Sequence, residues 1–440
     1  MANELAVLTL EDCLDALIDY RGKTPRKTDF GIPLITAKVV KSGRIETPNE
    51  FIATEDYEAW MTRGYPQIGD VVLTTEAPLG EVAQIKFLPV ALAQRIVTLR
   101  GKRDLLDSSY LLYLMQSQEM QEKLLGRSSG TTVIGIKQSE LRKIQVALPP
   151  IAEQRSIAHI LSTLDDKIEL NRKQNETLEA MALAFFKAWF VDFEPVRAKQ
   201  EGRWQLGQSL PGMPAHLYDL FPDRLVESEL GEIPNGWRHS TIGEEVTVCG
   251  GSTPSTKEPE FWEGGKHCWA TPKDLSGLKF PVLLGTDRKI TDAGLAKISS
   301  GLLPIGTVLL SSRAPIGYLA IAEVPTAINQ GFIAMRCDGA LPNVYVLQWC
   351  RESMDAIVGN ANGSTFQEIS KSNFRPLRVV VPNEPVMTSF TKFADSLYQQ
   401  LAKNEHESRS LAQLRNTLLP KLIPGELRVP DTELIVGATV

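Results

Sequence analysis

Three short polar stretches carry the residues best suited to chemistry. Gly250-Gly251-Ser252-Thr253-Pro254-Ser255-Thr256-Lys257 offers backbone N–H groups and hydroxyls, the donors that phosphate oxygens accept from. Trp269-Ala270-Thr271-Pro272-Lys273-Asp274-Leu275 sets a cation and a carboxylate on a rigid turn. Ser311-Ser312-Arg313-Ala314-Pro315-Ile316-Gly317 puts an arginine on a turn that follows an apolar run. An earlier stretch, Thr74-Thr75-Glu76-Ala77-Pro78-Leu79-Gly80, has the same shape with a glutamate at the tip. Arginine suits the edge of guanine and glutamate can accept from cytosine, so one frame with two tips could serve two base sequences. Backbone geometry alone accounts for the glycines and prolines of these turns. It accounts less well for their polar tips.

The chemistry of a self-sufficient enzyme is missing. No G-x-x-x-x-G-K-[ST], no G-x-G-x-x-G after a strand and no H-E-x-x-H occurs. Pro222-Asp223 precedes Glu227 and Glu229 without a following lysine, which leaves a metal-dependent nuclease core unsupported. His159 lies between apolar positions and reads as a packed or surface histidine. Cys13, Cys249, Cys268, Cys337 and Cys350 are odd in number, far apart and without a C-x-x-C, which suits reduced thiols in a cytoplasmic protein. Five scattered histidines supply no ligand cluster, so no metal is expected.

The elements that must position these turns come in duplicate. IGDVVLTTEAPLG at Ile68 to Gly80 returns as IGTVLLSSRAPIG at Ile305 to Gly317, and Gln94-Arg95 returns as Gln330-Gly331. Gly130-Thr131-Thr132-Val133 returns as Gly363-Ser364-Thr365-Phe366, and Thr24-Pro25 pairs with Thr253-Pro254. Several matches in one order mark a duplicated unit. β-Branched runs at Asp70 to Leu73, Arg95 to Leu99, Thr307 to Leu310, Phe332 to Met335 and Arg378 to Val381 predict strands. Helical patches at Ser109 to Leu125 and Asn343 to Val358 match one another, so each copy reads as an α+β module.

A long helix follows each module. Ile151 to Phe193 contains neither Pro nor Gly, and Pro149-Pro150 and Pro195 bound it. Ile157, Leu161, Leu164, Ile168, Leu178, Ala182, Phe185 and Trp189 recur in steps of mostly three and four. They draw one stripe, narrow enough for a coiled-coil seam. Asn171 and Asn175 fall on that stripe, where a buried amide costs stability but can fix register. The stripe could also pack on the helix's own module, although a helix this long more often seeks a partner helix. Leu164, Ile168, Asn171, Leu178, Met181 and Phe185 correspond to Leu397, Leu401, Asn404, Leu411, Leu414 and Leu418 of a second helix, from about Glu384 to a stop at Pro420.

The expected divisions are a module at 1–150, a long helix at 151–194 and an extended connector at 195–233, whose Trp204, Leu210, Leu217 and Phe221 suggest that it lies on a surface. A second module at 234–383, a second long helix at 384–420 and a C-terminal tail at 421–440, expected to be mobile after Leu427, complete the chain. At 440 residues with 43% hydrophobic content and a net charge of -6, it reads as globular, without a leader or a membrane span. An acidic balance argues against coating nucleic acid by charge alone.

Taken together, these features resemble the specificity (S) subunit of type I restriction-modification systems over essentially the whole chain. The phrases that carry the resemblance are GEIPNGW (Gly231 to Trp237), GGSTPSTKEPEFWEGG (Gly250 to Gly265), WATPKDL (Trp269 to Leu275), SSRAPIG, INQGF (Ile328 to Phe332) and GSTFQEI (Gly363 to Ile369). PPIAEQRSIAHILSTLDDKIELN (Pro149 to Asn171) and AFFKAWFVDFEP (Ala184 to Pro195) complete them. The first module departs from the pattern, with RGKTPRK at Arg21 to Lys27 in place of the fuller Gly-rich loop.

The resemblance implies two similar target recognition domains, each reading one half of a bipartite double-stranded DNA sequence. Two long antiparallel helices would separate them as a coiled coil with pseudo-two-fold symmetry. It implies a non-catalytic chain without a cofactor of its own. Two modification subunits would carry S-adenosylmethionine and methylate adenine, and motor-nuclease subunits are left open. Modules with net charges of -1 (residues 1–150) and +1 (residues 234–383) would then lean on partners for phosphate attraction. The DNA-contact candidates are Thr24, Lys38, Thr75, Glu76, Arg95, Thr131, Thr132 and Lys137 in the first module. In the second they are Ser252, Thr253, Lys273, Asp274, Ser312, Arg313, Tyr318, Asn329, Gln330, Ser364 and Thr365. Candidate subunit-interface residues are Leu164, Ile168, Leu178, Phe185, Phe186, Trp189, Phe190, Leu401, Leu411 and Leu418. Two rivals stay open: a free-standing DNA-binding regulator, and an enzyme with its own methyltransferase or nuclease activity.

Overall fold

The computed structural model describes residues 6–229, 231–363 and 367–429. The chain divides into two compact units. Unit 1 comprises Met1–Ile168 with Arg409–Val440, and unit 2 comprises Glu169–Ser408. The division therefore falls inside both long helices, not at residues 150 and 384, because each helix segment shares a core with the module beside it.

In unit 1 an antiparallel sheet runs in the order Leu14–Asp19, Ile96–Gly101, Val71–Thr75, Leu79–Gln84. In unit 2 the order Thr247–Gly250, Phe332–Arg336, Val308–Ser312, Ile316–Ala322 repeats it, with Val282–Leu283 added in parallel at the edge. The central strands are buried on both faces. Val71, Leu73, Val97 and Leu99 enter one core while Val72, Ala83 and Ile96 enter another. Val308, Leu310, Ile333 and Met335 are likewise separated from Leu309, Phe332 and Ala334. Successive side chains point to opposite faces, so a strand covered on both sides reads as an unbroken apolar run. The helical patches are each two helices. Ser108–Gln116 passes to Gln118–Gly126 at Ser117, and Asn343–Glu352 passes to Met354–Gly359 at Ser353.

The first long helix spans Ile151–Phe190, 40 residues or about 60 Å. Near its start the buried Gln154 donates to the carbonyls of Leu105 and Pro149 and accepts from the Asp107 N–H. Beyond its end Phe193 takes a left-handed φ of 52° and Pro195 opens a short helix, Glu194–Gln200. The second long helix spans Glu384–Leu422 and runs through Pro420 instead of stopping there. The proline forfeits one backbone bond, to the Asn416 carbonyl, while the N–H groups of Ile423, Gly425 and Leu427 donate to the carbonyls of Leu419, Leu422 and Lys421 and close the helix end.

In both units the two helices lie antiparallel, since partner numbers fall on one as they rise on the other. In unit 1 Asp165 meets Arg415. In unit 2 Asn171 meets Glu407, Asn175 meets Glu405, and Phe185 and Phe186 meet Phe393 and Phe390. The stripe is consumed by this pairing. Leu164, Leu411 and Leu418 are buried in the core of unit 1 with Ile168 packed against it. Phe186, Trp189, Phe190 and Leu401 are buried in that of unit 2, with Leu178 and Phe185 packed against them. Of these candidate subunit-interface residues, Leu164, Phe186, Trp189, Phe190, Leu401, Leu411 and Leu418 are buried by the chain itself, while Ile168, Leu178 and Phe185 stay partly exposed.

The connector is not extended. Its short helix leads to a 3₁₀ turn at Ala215–Leu220 and a hairpin of Leu225–Ser228 with Gly231–Pro234. Trp204, Leu217 and Phe221 anchor it in the core of unit 2. The tail expected to be mobile lies outside the described residues beyond residue 429.

Candidate nucleic-acid interface

In unit 2 the hairpin joining Val308–Ser312 to Ile316–Ala322 presents Arg313 at its tip. Ser311 Oγ accepts from the Tyr318 N–H and donates to the Pro315 carbonyl, both at 2.8 Å, which locks the turn. Ala314 is left-handed at φ 55° and its bond to Pro315 is cis. Arg313 pairs through its backbone with Glu368, and its Nη1 lies 3.5 Å from the Glu368 carboxylate. Ser312 N–H donates to Gly331, and Ile369 N–H donates to Ser312. Beside this, Thr253 Oγ1 donates to Gln330 Oε1 at 2.6 Å. Gly251 has no room for a side chain, because a Cβ there would stand 1.9 Å from the Ile328 carbonyl oxygen.

Unit 1 repeats the arrangement with the charges exchanged. Ala77 is left-handed at φ 50°, Ala77–Pro78 is cis, and Glu76 pairs with Gly135, the counterpart of Glu368. Thr75 N–H donates to Arg95, and Ile136 N–H donates to Thr75, matching the bonds around Ser312. Glu76 Oε1 meets Arg95 Nε at 3.2 Å. Arg21 donates to the Ile136 carbonyl, tying the segment that carries Thr24 to the exposed loop of Thr131 and Thr132. Each module thus pairs the residue at its turn's tip with an opposite charge from another segment, Arg95 for Glu76 and Glu368 for Arg313. The tip is the acid in one and the base in the other.

Several candidates have other tasks. Thr75 and Ser312 are buried, because their strand is covered on both faces up to the turn. Both carboxylate oxygens of Asp274 hold the fold: one accepts from Thr271 N–H and Oγ1, the other from Asp287 N–H. Asn329 Oδ1 accepts from Gly331 N–H in a turn. Ser252 Oγ donates to the Lys297 carbonyl. Tyr318 borders a separate cleft of about 320 Å³ lined also by Leu275, Lys279, Arg351 and Met354. Lys38 faces Glu50 at 3.8 Å, and no contact among the described residues ties it to the turn. Lys137 and Lys273 are exposed. Ser364 and Thr365 lie outside the described residues. The sequence reading missed Glu368 and Arg21; Glu368 could have been found from its alignment with Gly135 in the repeat.

Among the described residues no group of His, Cys, Asp and Glu is placed to hold a metal ion, and no helix is long and apolar enough to cross a membrane. The Cys13 and Cys337 thiols are poor nucleophiles. Burial pushes Cys13 up to about 11 and Cys337 up to about 12.

A family profile described as "Type I restriction modification DNA specificity domain" matches residues 8–180 and again residues 234–410. The chain belongs to this family. It is 28% identical over 374 residues to the type I restriction enzyme MjaIX specificity subunit of Methanocaldococcus jannaschii, covering 82% of this chain and 78% of that protein. The HindI specificity subunit of Haemophilus influenzae is 26% identical over 72% of this chain and 77% of its own length. The crystal structure of a type I restriction-modification S subunit from M. genitalium shares the fold. Its TM-score is 0.60 at 17% identity, covering 96% of this chain and 97% of that one.

Proposed function

We propose that this chain is the DNA-sequence-reading subunit of a type I restriction-modification assembly, without catalytic machinery of its own, and that each module reads one half of a bipartite target. The observation that carries the reading is the repeated turn, in which Glu76 and Arg313 occupy one scaffold position with opposite charge. A common frame with exchanged tips favours different base edges in the two half-sites. The near-neutral modules fit a division of labour in which partners supply much of the phosphate attraction. Those partners are two modification subunits carrying S-adenosylmethionine and methylating adenine, joined by motor-nuclease subunits where cleavage occurs, in the cytoplasm. The paired helices would set the gap between half-sites, so that shortening them changes the spacer and spares both half-sites. With the stripe consumed internally, the helix offers partners other apolar side chains, such as Leu170 at 50% and Met181 at 39% exposure.

The test is co-expression with cognate modification subunits and genome-wide mapping of methylated adenines. A single bipartite motif, one half of which changes when residues 234–383 are exchanged for those of a relative, is the expected result. Methyl transfer by the chain alone, or tight specific binding with no modification subunit recruited, would overturn it.

A further inference from the structure

Unit 2 holds a second arginine whose setting differs from that of Arg313. Arg288 lies on the strand Arg288–Ile290, directly opposite Trp269 on His267–Ala270. Its guanidinium carbon stands 3.7 Å from the centre of the Trp262 ring and 5.2 Å from that of Trp269, and the two indoles meet edge to face at 5.0 Å. At 3.7 Å the guanidinium carbon lies over the Trp262 ring face, a cation–π contact that leaves the N–H edge free to donate elsewhere. Both indoles are fixed in turn. Trp262 Nε1 donates to the Ser255 carbonyl and Trp269 Nε1 to the Ser252 carbonyl. Arg288 is exposed, and among the described residues no ion pair or hydrogen bond uses its guanidinium. Other arginines of unit 2 are occupied: Arg313 by Glu368, Arg336 by Asp338, Arg351 by Glu179. In unit 1 Arg63 also lies near an aromatic ring, 6.0 Å from the centre of Tyr20, but it donates to the carbonyls of Asp19 and Arg21.

The platform joins the candidate interface through its own bonds. Trp269 holds Ser252, next to Thr253 and its partner Gln330. Asp287, beside Arg288, is held by Asp274 and lies 4.0 Å from Lys273. We propose that Arg288, held flat by Trp262, is a base-reading residue of the second module and recognises a guanine edge in double-stranded DNA. This rests on the reading of the modules as DNA-binding. A long cationic side chain usually loses rotamer freedom on docking; stacking has already removed much of it here. A planar fork of fixed orientation matches the paired O6 and N7 acceptors of guanine, whereas a phosphate would be served as well by a mobile lysine.

The experiment measures binding of the complex with its modification subunits to cognate duplex, to duplexes substituted one base pair at a time in the second half-site, and to random duplex. Arg288→Ala should weaken cognate binding roughly tenfold to a hundredfold, leave random binding unchanged and erase the preference at one G·C pair. Arg288→Lys should fail to restore that preference, and Trp262→Leu should weaken cognate binding by a smaller factor. Unchanged cognate binding by Arg288→Ala overturns the inference, and so does an equal loss on cognate and random duplexes, which would mark a phosphate contact. If the unmodified complex itself shows no preference for any sequence, it is the underlying DNA reading that falls.

Discussion

Asn171 and Asn404, equivalent residues of the two repeats, meet across the paired helices, with Asn171 Nδ2 3.4 Å from the Asn404 carbonyl oxygen. The local axis relating the helices therefore passes between them. The bonds around it follow that symmetry. Asn171 Nδ2 reaches Ser408 Oγ, and at the image position Asn404 Nδ2 donates to Asn175 Oδ1 at 2.8 Å. All three asparagines are buried in a seam that is otherwise largely apolar. A shift of one helix by a turn would bring Leu401 or Leu178 against these amides and leave them unpaired, so the cluster defines the register.

Asn404→Leu should therefore lower stability by about 1–3 kcal/mol, since it strands the buried Asn175 oxygen as well as removing a bond. The double replacement Asn175→Leu with Asn404→Leu should cost less than the sum of the single changes, because the donor and the acceptor of their shared bond are then removed together. Urea unfolding followed by circular dichroism measures both. Additive losses would show that the pair does not act as a unit.

In unit 1 a mixed cluster ties the helices to the module. Tyr113 OH donates to Asp165 Oδ2 at 2.9 Å while Arg415 holds Asp165 Oδ1 at 2.6 Å. Burial, reinforced by the charge of Asp165, raises the phenol well above its ordinary value of 10.0. The folded state thus holds this proton more tightly than the unfolded chain. Its contribution is complete below pH 10 and fades as pH rises above it. Tyr113→Phe should cost about 1.5–3 kcal/mol at neutral pH and blunt the alkaline loss of stability. A pH series of unfolding midpoints would show either.

Much of this was legible in the sequence, and what was not has physical causes. The strands around Val72 and Leu309 show as β-branched runs because both faces are buried, and the first helix shows because nothing interrupts Ile151 to Phe190. The connector's anchors, Trp204, Leu217 and Phe221, were visible as apolar side chains, but its short helix, 3₁₀ turn and hairpin were not, because the segment lacks a period. Pro420 misled because a proline's cost depends on where in the helix it falls. At the candidate interface the turn residues were readable from the repeat. The uses of Asp274, Asn329 and Ser252 as internal ties were not, because residue type does not disclose which backbone group a side chain will meet.

Glu245 is buried at 7% exposure with Arg238 donating to both its oxygens, which lowers its pKa below the ordinary 4.5. A depressed carboxylate pKa stabilises the folded state above the unfolded value and ceases to as pH falls through the folded one. The contribution of this pair should be complete above about pH 4.5 and fade as pH falls below it. Arg238→Ala should reduce stability at neutral pH and flatten the acid decline. Because Arg238 is half exposed, screening limits the pair to no more than about 1 kcal/mol. Thermal unfolding midpoints across the acid range test the slope; an unchanged slope in the variant refutes the assignment.

Arg313 and Glu368 are 38% and 49% exposed and 3.5 Å apart, a surface pair worth about 0–1 kcal/mol. That is small beside a bidentate contact to a base, worth about 1–3 kcal/mol, so the carboxylate can hold the arginine in place and still release it to DNA. Glu368→Gln should leave folding stability within about 0.5 kcal/mol. It should tighten DNA binding, since the guanidinium no longer has to leave a charged partner. Arg313→Ala should weaken binding to the second half-site by about 1–3 kcal/mol and relax its preference there, with the first half-site untouched. Titrations at several salt concentrations separate the two kinds of contact. A loss equal on target and random DNA, with a salt slope smaller by about one, would place Arg313 on a phosphate. A base contact leaves that slope unchanged and alters the sequence preference alone.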